Sequence, residues 1–130
     1  MLMNKKPSEY ISEFLNFVTE AQSQYRFCYG EVDKQNKLTQ DYLHSLELDG
    51  LKCDERSKIA TKLMINRKDR RYYQDRVEEF EPIVKFFEDP QNKRVLNLMT
   101  KMLGDVRKAE NYHKDRKYIP RVLKEKKNEQ

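Results

Sequence analysis

Apolar or small residues recur along the first third of the chain in alternating steps of three and four. They are Ile11, Phe14, Val18, Ala21, Tyr25, Cys28 and Val32, continued by Gln35, Thr39, Tyr42 and Leu46. A mean spacing of about 3.5 residues keeps one stripe turned toward a neighbouring helix, so the pattern predicts a long helix lying along another. Ser8 is expected to cap its start, because a serine hydroxyl can accept a free backbone N–H. Asp49-Gly50 is expected to end it, since glycine tolerates the left-handed stop. Gly30 and the run Gln35-Asn36-Lys37 are the two places where it could break, but the seam keeps its phase across both.

A second seam reads Ile59, Leu63, Asn66, Arg70, Tyr73, Val77, Phe80, Val84 and Phe87, with Asp54 as the expected cap. Pro82 interrupts it without changing its phase, which predicts a kinked helix rather than two helices. The short Asp49–Cys53 connection makes the two helices antiparallel. Leu46 then meets Ile59, Thr39 meets Asn66, Gln35 meets Arg70, Tyr25 meets Phe80 and Val18 meets Phe87. Polar levels face polar levels, giving a polar waist that fixes register at a cost in stability.

Asp89-Pro90 is a cap residue followed by proline, a strong start for a third helix. Its apolar face is Val95, Leu98, Met99, Met102, Leu103, Val106, Ala109 and Tyr112, and it is expected to end near Lys117, before Pro120. Gly104 inside it suggests close approach of a neighbouring helix. The expected fold is all-α: a long, coiled-coil-like antiparallel helical hairpin with a shorter third helix packed on it. Residues 1–120 form one domain, and residues 121–130 a basic, disordered tail.

Composition narrows the class. Of 130 residues, 38% are charged against 37% hydrophobic, so the core must be thin and seam surface must remain exposed; a homodimer is an expected consequence. Three glycines, four prolines and no tryptophan exclude a turn-rich β-sandwich or barrel. Cys28 and Cys53 alone cannot build a disulfide scaffold or a zinc ribbon. No apolar run is long enough for a membrane span, and Met1–Pro7 lacks a signal-peptide core, so a cytoplasmic location is expected.

The formal charge of +5 is confined to the end of the chain: the last 24 residues, from Arg107, carry nine basic and four acidic residues, and Met1–Val106 is neutral overall. Two runs combine cations with tyrosines: Arg67-Lys68-Asp69-Arg70-Arg71-Tyr72-Tyr73 and Lys114-Asp115-Arg116-Lys117-Tyr118. If helix 3 folds back along helix 2, Lys114 reaches the level of Lys68, with Lys34 and Lys37 at a similar height. One basic belt would then surround the waist. The candidate polyanion-binding residues are Arg67, Lys68, Arg71, Tyr72, Lys114, Arg116, Lys117 and Arg121. Arginine forks suit phosphates and tyrosine rings suit bases. Arg70 is left out because it lies on the seam. The bland alternative is a solvated face, partly neutralised by Asp69, Asp75 and Asp115. Glu9, Glu13 and Glu20 with Glu78, Glu79, Glu81 and Glu88 should form an acidic pole away from the belt.

Catalytic and cofactor motifs are absent. There is no phosphate loop and no nucleophile elbow, and His44 and His113 lack ligand partners at helical spacing, so no enzyme, cofactor or metal is expected. A recognition helix behind a short turn is also missing, which disfavours sequence-specific DNA reading.

The runs Arg76-Val77-Glu78-Glu79-Phe80-Glu81-Pro82-Ile83-Val84-Lys85-Phe86-Phe87 and Tyr112-His113-Lys114-Asp115-Arg116-Lys117-Tyr118-Ile119-Pro120-Arg121-Val122-Leu123 resemble small helical proteins of phages and prophages of Gram-positive bacteria. The resemblance covers roughly the second half of the chain and carries over no site residue. It implies a mobile-element protein acting by binding in the host cytoplasm, on replication, transcription or nucleases of the CRISPR type. The expected function is non-catalytic engagement of nucleic acid or a nucleoprotein complex through the belt and tail. The alternatives are an anti-CRISPR-like inhibitor or adaptor docking on a host protein such as a nuclease, and a structural coiled-coil oligomer.

Overall fold

A computed structural model describes residues 3–122. It contains three helices, α1 (Pro7–Leu48), α2 (Cys53–Glu88) and α3 (Pro90–Lys114), and no strand among the described residues. The expected all-α architecture is present: α1 and α2 form a long antiparallel hairpin on which α3 packs. No described helix is long and apolar enough to cross a membrane.

The heptad spacing of α1 becomes a single file of buried residues. Ala21, Cys28 and Gln35 stand seven apart on α1, and Val77 and Val84 seven apart on α2. Val18, Asn66 and Leu103 complete the buried positions near the helix axes. The residues at the centre are small, so the larger side chains flank the seam. Phe80 is only half-buried. The ring of Tyr25 sits by Tyr29, 5.9 Å between centroids, in a groove between α1 and α2. Val77 and Val84 take the inward positions, and the 3.6-residue period turns Phe80 about 60° away from Val77.

α1 runs unbroken for 42 residues through Gly30 and Asn36. The chain turns at Gly50, whose φ of +58° is the left-handed conformation expected there. Pro82 lies inside an unbroken α2. At the position where a Cβ of Gly104 would stand there is open space, so that glycine marks no close helix approach.

The polar waist fixes the register. Asn66 is almost fully buried, and its Nδ2 donates to the Gln35 carbonyl oxygen at 2.9 Å and to Gln35 Oε1 at 2.7 Å. The Thr39 hydroxyl lies 2.6 Å from Asn66 Oδ1 and 2.9 Å from the Gln35 carbonyl, and its one proton serves either acceptor. Thr39 thus meets Asn66 as its seam position predicts. Arg70 reaches one residue beyond its expected partner Gln35, donating from Nε to Asn36 Oδ1 at 2.6 Å.

Helix starts differ from expectation in an informative way. α1 begins at Pro7, with Lys6 at the cap position and no side-chain cap. Ser8 is one residue inside. Its backbone N–H donates to Glu110 Oε2 of α3 at 3.1 Å, and its hydroxyl donates to Glu110 Oε1. A carboxylate 102 residues away therefore does the capping that Ser8 was expected to do. Lys52, not Asp54, stands at the cap of α2, and Asp54 and Glu55 face the positive helix end from the first turn. Asp89 caps α3 as expected, accepting the Gln91 N–H at 3.0 Å. α3 ends at Lys114, three residues early.

The Ser8–Glu110 contact also overturns the expected course of α3. Folding back along α2 would carry Glu110 toward the waist. Instead Glu110 lies at the very start of α1, so α3 runs from the end of α2 across the hairpin's open end. The expectation that residues 121–130 are disordered falls mostly outside the described residues.

Two predictions follow from these contacts. Asn66→Ala leaves the Gln35 and Thr39 groups without their buried partner and should cost about 1–3 kcal/mol in urea unfolding; an unchanged midpoint would show that water replaces the amide. The Ser8 hydrogen bonds hold the Glu110 carboxyl below the usual carboxylate range, against desolvation and with help from the Ser8 N–H, Lys6 and Arg107. A depressed folded-state value adds stability above the unfolded carboxylate range, and that stability is lost as pH falls through the folded value. Glu110→Gln should lower the melting temperature at neutral pH, and the difference from wild type should shrink below about pH 4.

Candidate nucleic-acid interface

The waist determines which cations are available. Arg70 is half-buried and bound to Asn36, so it belongs to the fold. Its neighbours Arg67, Lys68 and Arg71 are exposed, and none forms an ion pair among the described residues. Arg67 and Arg71 are four apart on a continuous helix, so both guanidinium groups leave the same flank of α2. Lys68 projects about 100° further round. On α1, Lys37 is paired with Asp33 at 3.0 Å, while Lys34 is exposed.

Tyr72 is exposed, but its ring is engaged. The Arg76 guanidinium lies 5.3 Å from its centroid, and the Tyr73 ring meets it edge-on at 5.4 Å. Tyr72 also points about 140° away from Arg67 round the helix axis. It therefore shares a flank with Arg76 rather than with the arginine pair. Tyr73 packs edge-on against Phe27 at 6.2 Å. Burial, then Glu31 and Asp69, push its hydroxyl above the ordinary tyrosine value, which keeps it neutral.

Beside the Arg67–Arg71 flank runs a groove of about 390 Å³ between α1 and α2, lined by Tyr25, Tyr29, Asn36, Arg70 and Gln74 among others. Asp33 and Glu81 also line it, so its floor is of mixed charge. Tyr29 carries no seam position and was not singled out from the sequence. Its spacing of four from Tyr25 was the available signal.

The second cluster is elsewhere. Lys114 is the last residue of α3, Arg116 lies over the Tyr112 ring at 5.6 Å, and Lys117 and Arg121 are exposed. The bonds between Glu110 and Ser8 place Lys114, one turn further along α3, near the start of α1. Ser8 and Gln35 are 27 residues apart on one continuous helix, or about 40 Å. The structure thus keeps Arg67, Lys68 and Arg71 within four residues of α2, leaves Lys114, Arg116, Lys117 and Arg121 strung along the end of α3 and the segment after it, and does not join the two groups into one belt. The basic end of α3 lies instead at the acidic pole, where Glu9, Glu13 and Arg107 line a shared cleft.

Among the described residues no cluster of three or more His, Cys, Asp or Glu side chains could hold a metal ion. Cys28 is buried, and desolvation raises its thiol above the ordinary value, so it is a core residue. Comparison with protein-family models, with curated proteins and with solved structures finds no match for this chain.

Proposed function

We propose that the chain is a non-catalytic binding protein that engages nucleic acid, or a nucleoprotein complex, through two separated cation patches. The observation that carries this reading is the exposed group Arg67, Lys68 and Arg71. It stands on one long helix without ion-pair partners among the described residues, while Arg70 between them is committed to Asn36. A rigid helix presents guanidinium forks at fixed spacing, so phosphate contacts cost little ordering entropy. The resemblance to phage proteins supports a mobile-element setting for such a binder. The second patch, Lys114, Arg116, Lys117 and Arg121, stands about 40 Å from the first along α1, the length of about 12 base pairs.

A second reading is an adaptor or inhibitor that docks on a host protein without nucleic acid. Large aromatic side chains left exposed near the waist, Phe27, Tyr29 and Tyr72, favour it.

Fluorescence anisotropy with duplexes of about 8 and 20 base pairs, over a salt series, tests the first reading. Wild-type binding should weaken steeply with salt. The double variant Arg67→Glu and Arg71→Glu should lower affinity for both duplexes and flatten the salt slope by about 2, with helix content unchanged. Charge reversal of Lys114, Arg116 and Lys117 should weaken the longer duplex more than the shorter, because only the longer one spans both patches. Absence of salt-sensitive binding to single- or double-stranded nucleic acid would leave the protein-docking reading in its place.

A further inference from the structure

At the open end of the hairpin, Phe14 and Phe17 of α1 and Pro82, Ile83, Phe86 and Phe87 of α2 wall a groove of about 330 Å³ that is almost wholly apolar. Phe86 is 54% exposed there, and Phe14 and Phe17 are exposed as well. Beyond α3 an extended segment carries the opposite feature. Tyr118 is 82%, Ile119 80% and Val122 89% exposed, with Arg116, Lys117 and Arg121 around them. We propose that the groove receives the Tyr118–Val122 segment of a second copy of the chain.

The chain's own segment does not fill the groove: Tyr118, Ile119 and Val122 stand almost fully exposed. Phe86 lies beside the start of α3, where its carbonyl accepts the Asn92 amide at 2.9 Å, and the segment leaves from the other end of that helix. A second copy is free to approach the groove from outside.

Charge selects the same occupant. Glu13 and Glu20 lie one turn either side of Phe17, and Glu78 and Glu79 lie one turn before Pro82 and Ile83. Lys5 pairs with Glu13 and Arg76 with Glu79; Lys85, one turn past Pro82, pairs with Glu81. Glu20 and Glu78 have no ion-pair partner among the described residues, and a segment bearing Arg116, Lys117 and Arg121 supplies cations at that rim. Pro120 fixes its own φ and holds Ile119 extended, so the segment is partly ordered before it docks. Groove and segment lie at the same end of the molecule, because Glu110 ties α3 to the start of α1. Two copies meeting end to end can therefore exchange segments reciprocally, and a two-fold exchange closes at a dimer.

Sedimentation equilibrium of the full chain tests this. The mass should rise with concentration from 15.8 kDa toward twice that value. Ile119→Asp and Phe86→Glu, both at exposed positions, should each raise the dissociation constant about tenfold or more while circular dichroism keeps the wild-type helix content. A mixture of the two variants should re-form a heterodimer through its one intact junction, tighter than either variant with itself. A labelled peptide of residues 115–122 should bind the wild-type chain and the Ile119→Asp variant, and fail to bind Phe86→Glu. A chain that stays at 15.8 kDa up to about 1 mM overturns the proposal and leaves the groove to the chain's own segment or to a different protein. Loss of the dimer in Phe86→Glu but not in Ile119→Asp also overturns it, because that pattern belongs to groove-on-groove packing.

Discussion

The buried amide of Asn66 is the interaction on which the rest of the molecule depends. Two long helices meet along a file of small residues, and a heptad seam offers nearly the same apolar contact after a slip of seven residues. Asn66 removes that degeneracy. It has polar partners at one register only, where the Gln35 carbonyl, the Gln35 side chain and the Thr39 hydroxyl surround it. A slip would bury the amide against apolar residues and cost more than the contacts it preserved. The Arg70–Asn36 bond one turn away acts in the same sense from the flank. With the register set, every exposed position on α1 and α2 has a fixed height along the hairpin.

The third helix is placed by a different kind of contact. Only Leu103 of α3 is buried, so apolar packing alone gives it little orientation. Glu110 supplies that orientation by accepting from both the backbone and the hydroxyl of Ser8, at a helix end whose own cap residue offers no side-chain acceptor. The α1 N-terminus carries unsatisfied N–H groups and a positive end of the helix dipole, and a carboxylate answers both. One polar contact thereby decides the charge layout of the molecule, because it carries the basic end of α3 to the acidic pole instead of to the waist.

Much of this was legible in the sequence. Two 3.5-residue seams pointed to the first two helices, their antiparallel pairing and the Thr39–Asn66 level, and Asp89-Pro90 with an apolar face pointed to the third, since backbone period and loop length leave few alternatives. Asp89 as the cap of α3 was legible for the same local reason. The course of α3 was not. A short helix with a modest apolar face can pack in several directions, and the choice rests on a contact between residues 102 apart that no local pattern encodes. The single belt failed with it. Val77 and Val84 are buried as their seam positions predict, but the half-burial of Phe80 beside them escaped, because a seam list fixes which side of a helix faces its partner, and not which residue on that side lies on the axis. Of the candidate site, Arg67, Lys68 and Arg71 are exposed on α2 without ion-pair partners among the described residues, and the ring of Tyr72 is taken up by Arg76 and Tyr73, a contact that its sequence position does not announce.

The thin core and the exposed aromatic residues have one physical cause. Close approach of two helices requires small side chains on the axis, here Ala21, Cys28, Val77 and Val84, so the 14 Phe and Tyr residues must lie to either side. Flanking rings shield the seam with one edge and leave the other in water. A helix pair of this kind is stiff along its length, since about 40 Å of unbroken α1 separates the waist from the end, while its surface stays chemically unsatisfied. Stiffness keeps the cations of α2 and the apolar groove at a fixed separation, and unsatisfied surface gives each of them something to gain from a partner. The same seam that keeps the core thin therefore leaves apolar and charged surface open along the hairpin.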